Sequence, residues 1–310
     1  MSLALPDSFP ELIRSTFNSA KESGALLFSE STDKDIVVQD LTFNVRIVPA
    51  LGQKPVNNKD NDDVEKPKKK FDPFETPEPA LFLCSLGEKY SIILNKFSIL
   101  PYHYLCVTTK FESQNAPLSE DDLIAAWACL QADLDPNMRQ LAFYNCGERS
   151  GASQAHKHLQ FISVSKQPKL LPDVALSYGV PESKDAIGQF PTYHPAVPFA
   201  HFVLPLPPNP TGNDLVMRFS SLLARTLNVL RRHEQRDISF NFAMTKEWIF
   251  VAPRSQESAD DISINATGMI GLMLAKSDEQ MEQIKTRGPL ELLLSVGVDR
   301  VIEDEAHHDY

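Results

Sequence analysis

The 310-residue chain has no apolar run approaching the roughly 18 to 20 residues that span a bilayer. Its first residues, MSLALPDSFPELIRSTF, lack a basic region followed by a long apolar stretch, so neither secretion nor a membrane partner is expected. Cysteine is scarce. Cys84, Cys106, Cys129 and Cys146 are widely spread with no C-x-x-C pair, which speaks against a disulfide framework or zinc ribbon. A reducing compartment fits: the cytoplasm is expected, with the nucleus also open. Basic residues are outnumbered, 30 Lys and Arg against 41 Asp and Glu, giving a formal charge of -11. Broad nucleic-acid affinity needs a basic surface that releases phosphate counterions, so no nucleic-acid partner is expected. Any polyanionic ligand must meet locally gathered basic residues. No fixed-period repeat is present.

What remains is an ordinary globular composition, 42% apolar and 23% charged. Helical spacing of Leu12, Ile13, Phe17 and Ala20 predicts a helix over Phe9 to Ser23. Strands are expected at Ala25 to Phe28, at Ile36 to Gln39, and at Thr42 to Val48, where Phe43, Val45 and Ile47 share a face. Lys54 to Pro79, rich in charge, Asn and Pro, reads as a long surface loop. Short apolar runs at Ala80 to Leu86, Tyr90 to Leu94 and His103 to Thr109 predict successive antiparallel strands. Ser119 and Asp122 form a variant capping box that opens a helix with Leu123, Trp127, Leu130 and Leu134 as its buried stripe.

Ala142 to Cys146 and Lys157 to Val164 read as two further strands, with Gly147 to Ala152 turning between them. The eight prolines from Gly179 to Pro210 predict a segment that wraps a surface without a core of its own. Asn213 is expected to cap a long helix whose Leu215, Phe219, Leu222, Leu223, Thr226 and Leu230 fall on one side. Ile238 to Met244 and Trp248 to Ala252 predict a strand pair turning at Thr245 to Glu247. Short helices then finish the chain, with a frayed acidic tail at 303–310.

The chemistry gathers at His156-Lys157-His158-Leu159-Gln160. On a strand, positions i, i+2 and i+4 share a face, so two imidazoles and an amide line up while Leu159 and Phe161 point the other way, toward burial. Such a face is a poor core face, because each polar atom would need a partner. A neutral imidazole is a good nucleophile, and attack on phosphorus leaves a phosphoramidate that passes the group on. The upstream run from Asn145 to Gln154 supplies small residues and donors, and its glycines let backbone N–H groups approach phosphate oxygens. His-x-His is equally a metal-ligand pair or a structural one, and spacing alone leaves the three readings open.

The run SGASQAHKHLQF resembles the His-x-His-x-Gln signature of the ATP adenylyltransferase family, the diadenosine tetraphosphate phosphorylases. That family belongs to the histidine-triad superfamily with galactose-1-phosphate uridylyltransferase. SGALLF at 23–28, FDPFETPEPALFL at 71–83, LNKFSILPYHYLCVTTKFESQ at 94–114, SFNFAMTKEWIFVAPR at 239–254 and SINATGMIGLMLAK at 263–276 are similar to family segments in the same order.

The resemblance implies an α+β fold, a histidine-triad-like, mainly antiparallel sheet with packed helices. It implies a single unit over 1–310: a catalytic part to about 205 with a loop at 53–79, and a part from about 206 to 302 completing the site. His158 becomes the nucleophile carrying AMP, His156 positions it or binds phosphate, and Gln160 stands where the hydrolase branch has a third histidine. Implied substrate contacts are Lys54, Asn95, Lys96, Asn145, Gly151, Ala152, Ser153, Gln154, Gln160, Asn265, Ala266, Thr267, Leu272 and Lys276. Read without the resemblance, Lys54 is a solvated loop charge and Lys276 a charge at a helix C-terminus. Lys66, Lys68, Lys69 and Lys70 are read as solvated.

Thr267 departs from the Leu or Met typical of the family, and Leu272 stands where Met is common. The implied reaction is reversible phosphorolysis of diadenosine tetraphosphate to ATP and ADP. Dinucleoside polyphosphates, ATP, ADP and phosphate are the expected ligands, and a divalent cation such as Mg2+ accompanies the nucleotide with no tightly bound cofactor and no protein metal site. A monomer or homodimer is expected. Adenylyl sulfate or another nucleotide as substrate, and a nucleotide-binding sensor without turnover, are the rival readings.

Overall fold

The computed structural model describes residues 3–53, 72–132, 134–178 and 191–300. Lys54, the lysines at 66–70 and the tail at 303–310 lie outside them. In chain order the elements are α1 (Phe9–Glu22), β1 (Leu27–Phe28), β2 (Thr32–Val38), β3 (Leu41–Ile47), β4 (Phe82–Leu86), β5 (Tyr90–Leu94), β6 (Phe97–Ser98), β7 (Tyr104–Thr108), α2 (Glu120–Leu130), β8 (Met138–Cys146) and β9 (His158–Ser165). They continue as α3 (Leu171–Tyr178), β10 (Phe202–Pro205), α4 (Gly212–Arg232), β11 (Phe240–Met244), β12 (Trp248–Pro253), β13 (Ser258–Ala259), β14 (Ile262–Ser263), α5 (Ala266–Met269), β15 (Leu272–Ala275), α6 (Asp278–Arg287) and α7 (Pro289–Val296).

Eight strands form one antiparallel sheet in the order β10-β12-β11-β8-β9-β7-β5-β4. Because side chains alternate along each strand, the sheet builds two cores. Tyr104, Tyr144, Phe161, Phe240 and Phe242 point to one face, where α1, α2 and α4 cover them. Phe143, Ile162, Val164, Trp248 and Phe250 point to the other, beneath α3, α7 and a second small sheet. That second sheet joins distant parts of the chain, β15 pairing parallel with β3 and β3 antiparallel with β2. The expected α+β, mainly antiparallel architecture is therefore present.

Local chemistry accounts for the helix starts. Ser119 and Asp122 satisfy each other's backbone N–H groups at 3.3 and 2.8 Å, the capping box the sequence predicts. The long helix starts earlier than expected: Thr211, not Asn213, is its cap, in a reciprocal pair with Asp214 at 3.1 and 2.9 Å that leaves Asn213 inside the first turn.

Three further expectations are corrected. The proline-rich stretch does more than wrap a surface. Its described part supplies edge strand β10 and buries Val197, Phe199 and Val203, because an edge position spares Pro205 a ladder donor. The apolar run before Lys276 is not a helix but strand β15, since Gly271, at φ +103°, ends α5 and starts an alternating half-buried, buried pattern. Leu134 is buried but lies past the end of α2 at Leu130.

Candidate active site

His158 opens β9, and the sheet holds it from both sides. Backbone pairing between β8 and β9 runs as far as Phe143 and Gln160. Beyond that pair, the buried side-chain amide of Gln114 replaces the ladder: its Oε1 accepts the His158 N–H at 2.8 Å and its Nε2 donates to the Asn145 carbonyl at 2.8 Å. The ring is fixed as well. His158 Nδ1 donates to the His156 carbonyl oxygen at 2.8 Å, so the neutral ring carries its free lone pair on Nε2. Burial pushes the His158 pKa down to about 4, which keeps the ring unprotonated at neutral pH.

His156 is itself immobilised. Its Nδ1 lies 2.8 Å from Asp72 Oδ2, and its Nε2 lies 2.7 and 3.0 Å from the carbonyl and hydroxyl oxygens of Thr108. With both its nitrogens engaged, His156 has no donor to share with His158 in a metal site. It braces the carbonyl that orients His158. Phe74 packs on both rings, with centroids 5.2 Å from His158 and 5.9 Å from His156. On the opposite face of the strand start, buried Lys157 Nζ meets Asp122 at 3.0 Å and Glu112 at 3.2 Å.

The turn after β8 needs its glycines. Gly147 has φ +87°, and a Cβ there would press on Ser239 Cα at 2.8 Å; Gly151 has φ +82° and would meet the Ile264 carbonyl at 2.8 Å. Beneath this turn, fully buried Arg254 donates to the Ser150, Val296, Gln256 and Glu257 carbonyls and to Asn241. Asn241 Nδ2 in turn donates to Asn145 Oδ1 at 2.8 Å, and the Ala266 N–H donates to the same oxygen at 2.9 Å. The Asn145 oxygen is thus taken from behind, and its NH2 is the end left for the cleft.

That cleft, about 540 Å³, lies between the small β2-β3-β15 sheet and the sheet face carrying Gln160, Ile162 and Val164. Of the sequence-predicted residues, Asn95, Asn145, Gly151, Ser153, Gln160, Asn265, Thr267 and Leu272 line it. Strands from early and late in the chain close it, β3 through Asn44 and β15 through Leu272. Asn265 uses its Oδ1 to cap α5, accepting from the Thr267 N–H at 3.0 Å and the Gly268 N–H at 3.3 Å.

Other predicted residues stand back. His158 and His156 are not on the lining; His158 connects to it through Gln160, two residues on, and through Gln114 to Asn145. Lys96 reaches out to Glu78 at 2.8 Å instead of inward. Ala152 and Gln154 lie on the turn but off the lining, and Ala266 contributes only its backbone N–H. Lys276 sits at the end of β15, 3.9 Å from the Cβ position of Gly52, beside the segment that leads to Lys54. Gln114, His103, Asn241 and Arg254 are not marked out by the sequence, because no spacing pattern signals them. Each acts through partners far along the chain.

Family models match nearly all of this frame: the Ap4A phosphorylase N-terminal domain over residues 2–176 and the ATP adenylyltransferase C-terminal domain over 195–299. The chain belongs to the Ap4A phosphorylase family. It is 34% identical to diadenosine 5',5'''-P1,P4-tetraphosphate phosphorylase 2 of Saccharomyces cerevisiae over 302 residues, 90% of this chain and 91% of that protein. The crystal structure of yeast Ap4A phosphorylase Apa2 in complex with AMP superposes with a TM-score of 0.82 at 30% identity, covering 97% of this chain and 99% of that one. The Apa2 complex with Ap4A covers 96% and 99%, with a TM-score of 0.81. As an Ap4A phosphorylase family member the chain is a nucleotidyltransferase, as the His-x-His-x-Gln run implied. Among the described residues no helix is long and apolar enough to cross a membrane.

Proposed function

We propose that the protein phosphorolyses diadenosine tetraphosphate, with His158 as the nucleophile. The Nδ1 hydrogen bond from His158 to the His156 carbonyl carries this reading, because it leaves the Nε2 lone pair of a neutral ring free beside a cleft whose lining includes the amides of Asn95, Asn145 and Gln160. His158 Nε2 attacks the α-phosphorus, the P–O bond to the ATP leaving group breaks, and AMP remains on the ring. Phosphate then attacks the same phosphorus, the N–P bond breaks, and ADP leaves. The steps reverse to make diadenosine tetraphosphate from ATP and ADP.

In this reading the amide NH2 groups of Gln160 and Asn145 and the turn Gly151 to Gln154 hold the phosphoryl oxygens as charge develops. Asn95, Asn265, Ala266, Thr267 and Leu272 contact the nucleoside or its phosphates. Lys54, Lys96 and Lys276 serve the distal phosphates, which requires Lys96 to leave Glu78. The chain acts as one unit, the part after about 206 completing the cleft. A divalent cation such as Mg2+ would enter on the polyphosphate. Two carboxylates line the cleft, Asp33 and Asp35, which accept from Asn44 at 2.7 and 2.8 Å, with Asp33 also paired to Arg46 at 3.2 Å; phosphate oxygens and water would supply most of the ion's ligands.

Product analysis with and without inorganic phosphate tests the reading. Turnover of diadenosine tetraphosphate to ATP and ADP is expected only when phosphate is present, with no more than one ATP per enzyme released without it, and adenylyl sulfate should be a poor substitute. Turnover at the same rate without phosphate would overturn it.

A further inference from the structure

His103, on the segment leading into β7, is buried, lines the cleft, and stands between two of its amides. Its Nε2 lies 3.2 Å from Gln160 Oε1, and Asn95 Nδ2 lies 3.1 Å from its Nδ1 and farther, 3.4 Å, from its Nε2, so the amide nitrogen sits nearer Nδ1. These contacts define one tautomer. An amide oxygen only accepts, so Nε2 carries the proton; an amide nitrogen only donates, so Nδ1 carries the lone pair. Burial holds the ring neutral, its pKa lowered to about 4, so it remains a donor on one side and an acceptor on the other. Asn95 is oriented in turn, because its Oδ1 accepts the Phe97 N–H at 3.2 Å.

We propose that His103 is a positioning residue that sets the polarity of the Gln160 amide, so that its NH2, and never its carbonyl oxygen, faces the phosphoryl group. This rests on the reading of His158 as a phosphoryl carrier. A glutamine amide is nearly symmetric in shape and turns over by a half rotation of its last torsion. Unguided, it would present lone pairs to a phosphoryl oxygen as readily as hydrogens. The first arrangement repels the charge that grows in the transition state and the second stabilises it. Occupying Oε1 from behind removes the wrong choice. The same device recurs at Asn145, whose oxygen is filled by Asn241 and Ala266.

The experiment measures single-turnover formation of the AMP-enzyme from diadenosine tetraphosphate, together with AMP binding, for wild type, His103→Leu, His103→Gln, Gln160→Ala and the His103→Leu/Gln160→Ala double variant. His103→Leu should slow adduct formation about 10- to 100-fold, somewhat less than loss of a whole oxyanion donor, with AMP affinity changed less than about threefold. His103→Gln, which keeps an N–H near the Nε2 position, should recover most of the rate. In the Gln160→Ala background His103→Leu should cost less than about threefold more, since the group it guides is gone.

A wild-type rate in His103→Leu, or the same loss with and without Gln160, would overturn the proposal while leaving the His158 reading intact. Failure of wild type to form any adduct would instead sink that reading itself. If His103→Leu does not fold, nitrogen chemical shifts of the wild-type ring decide: protonation at Nε2 is expected, and protonation at Nδ1 would overturn the proposal.

Discussion

His158 Nδ1 is bonded to the carbonyl oxygen of His156, a residue whose own ring is pinned at both nitrogens by Asp72 and Thr108. His156 lies two residues before the start of β9, and the pair divides the work: one imidazole is held rigid so that the other has a single tautomer and a single direction. In the proposed reaction His158 would draw its nucleophilicity from this orientation and from burial, which lowers its pKa to about 4.

A pH signature follows from that burial. Ordinary histidine, with a pKa near 6.5, would lose about fourfold of its neutral form on going from pH 8 to pH 6. With its pKa lowered to about 4 by burial, His158 should form the adduct at an almost constant rate across that range. Rapid-quench measurements of adduct formation at pH 6, 7 and 8 check this.

The same burial affects stability. His103, His158 and His201 are each lowered to about 4 by burial, below the 6.5 of the unfolded chain. The unfolded state therefore binds more protons between these values, so the stability is present in full above pH 6.5 and is lost as pH falls toward 4. Each histidine should remove roughly 1 kcal/mol between pH 7 and pH 5.5, and the three together about 3 to 4. Urea unfolding at the two pH values measures it; equal midpoints would contradict the assignment of three neutral buried rings.

Lys157 places a buried cation directly behind the two histidines, against Asp122 at 3.0 Å. Replacing it by Met leaves Asp122 and its partner Tyr90 facing an apolar group, and should cost about 3 to 5 kcal/mol. Replacing Lys157 and Asp122 together by apolar residues should recover only part of that loss, because Asp122 also caps α2 through the Ser119 N–H and accepts from Tyr90. A double-mutant cycle by urea unfolding separates the two effects.

Arg254 is a cation buried almost wholly among carbonyl oxygens, and burial lowers its pKa to about 9. Arg254→Met should destabilise the protein by about 3 kcal/mol or more and weaken phosphate binding, because the Ser150 carbonyl and Asn241 lose the group that holds the turn beneath Gly151. Arg254→Lys should rescue little, since a point-like ammonium cannot serve five acceptors spread around a planar fork. Unfolding curves and the KM for phosphate report the two consequences independently.

The part of this site that follows a strand's two-residue period is legible in the sequence. His158 and Gln160 share a face, Leu159 and Phe161 take the other, and Gly147 and Gly151 mark a turn that only glycine fits. What escapes is whatever depends on partners far along the chain. Gln114 reaches His158 across 44 residues and Asn145 across 31, and Arg254 reaches Ser150 across 104. An isolated Gln, His or Arg carries no local pattern that distinguishes such a role from solvation. The misreading of β15 as helix has a similar cause: four apolar residues satisfy either period, and it is pairing with β3, more than 220 residues earlier by the Leu272–Asn44 register, that selects a strand.

In the proposed reaction AMP rides on His158. Intact-mass analysis of the protein incubated with diadenosine tetraphosphate in the absence of phosphate tests it most directly. A mass gain of one adenylyl group is expected, mapped to the peptide containing His158, discharged as ADP when phosphate is added, and absent from His158→Asn. An adduct that persists in His158→Asn, or phosphate-dependent turnover without any adduct in the wild-type protein, would contradict it.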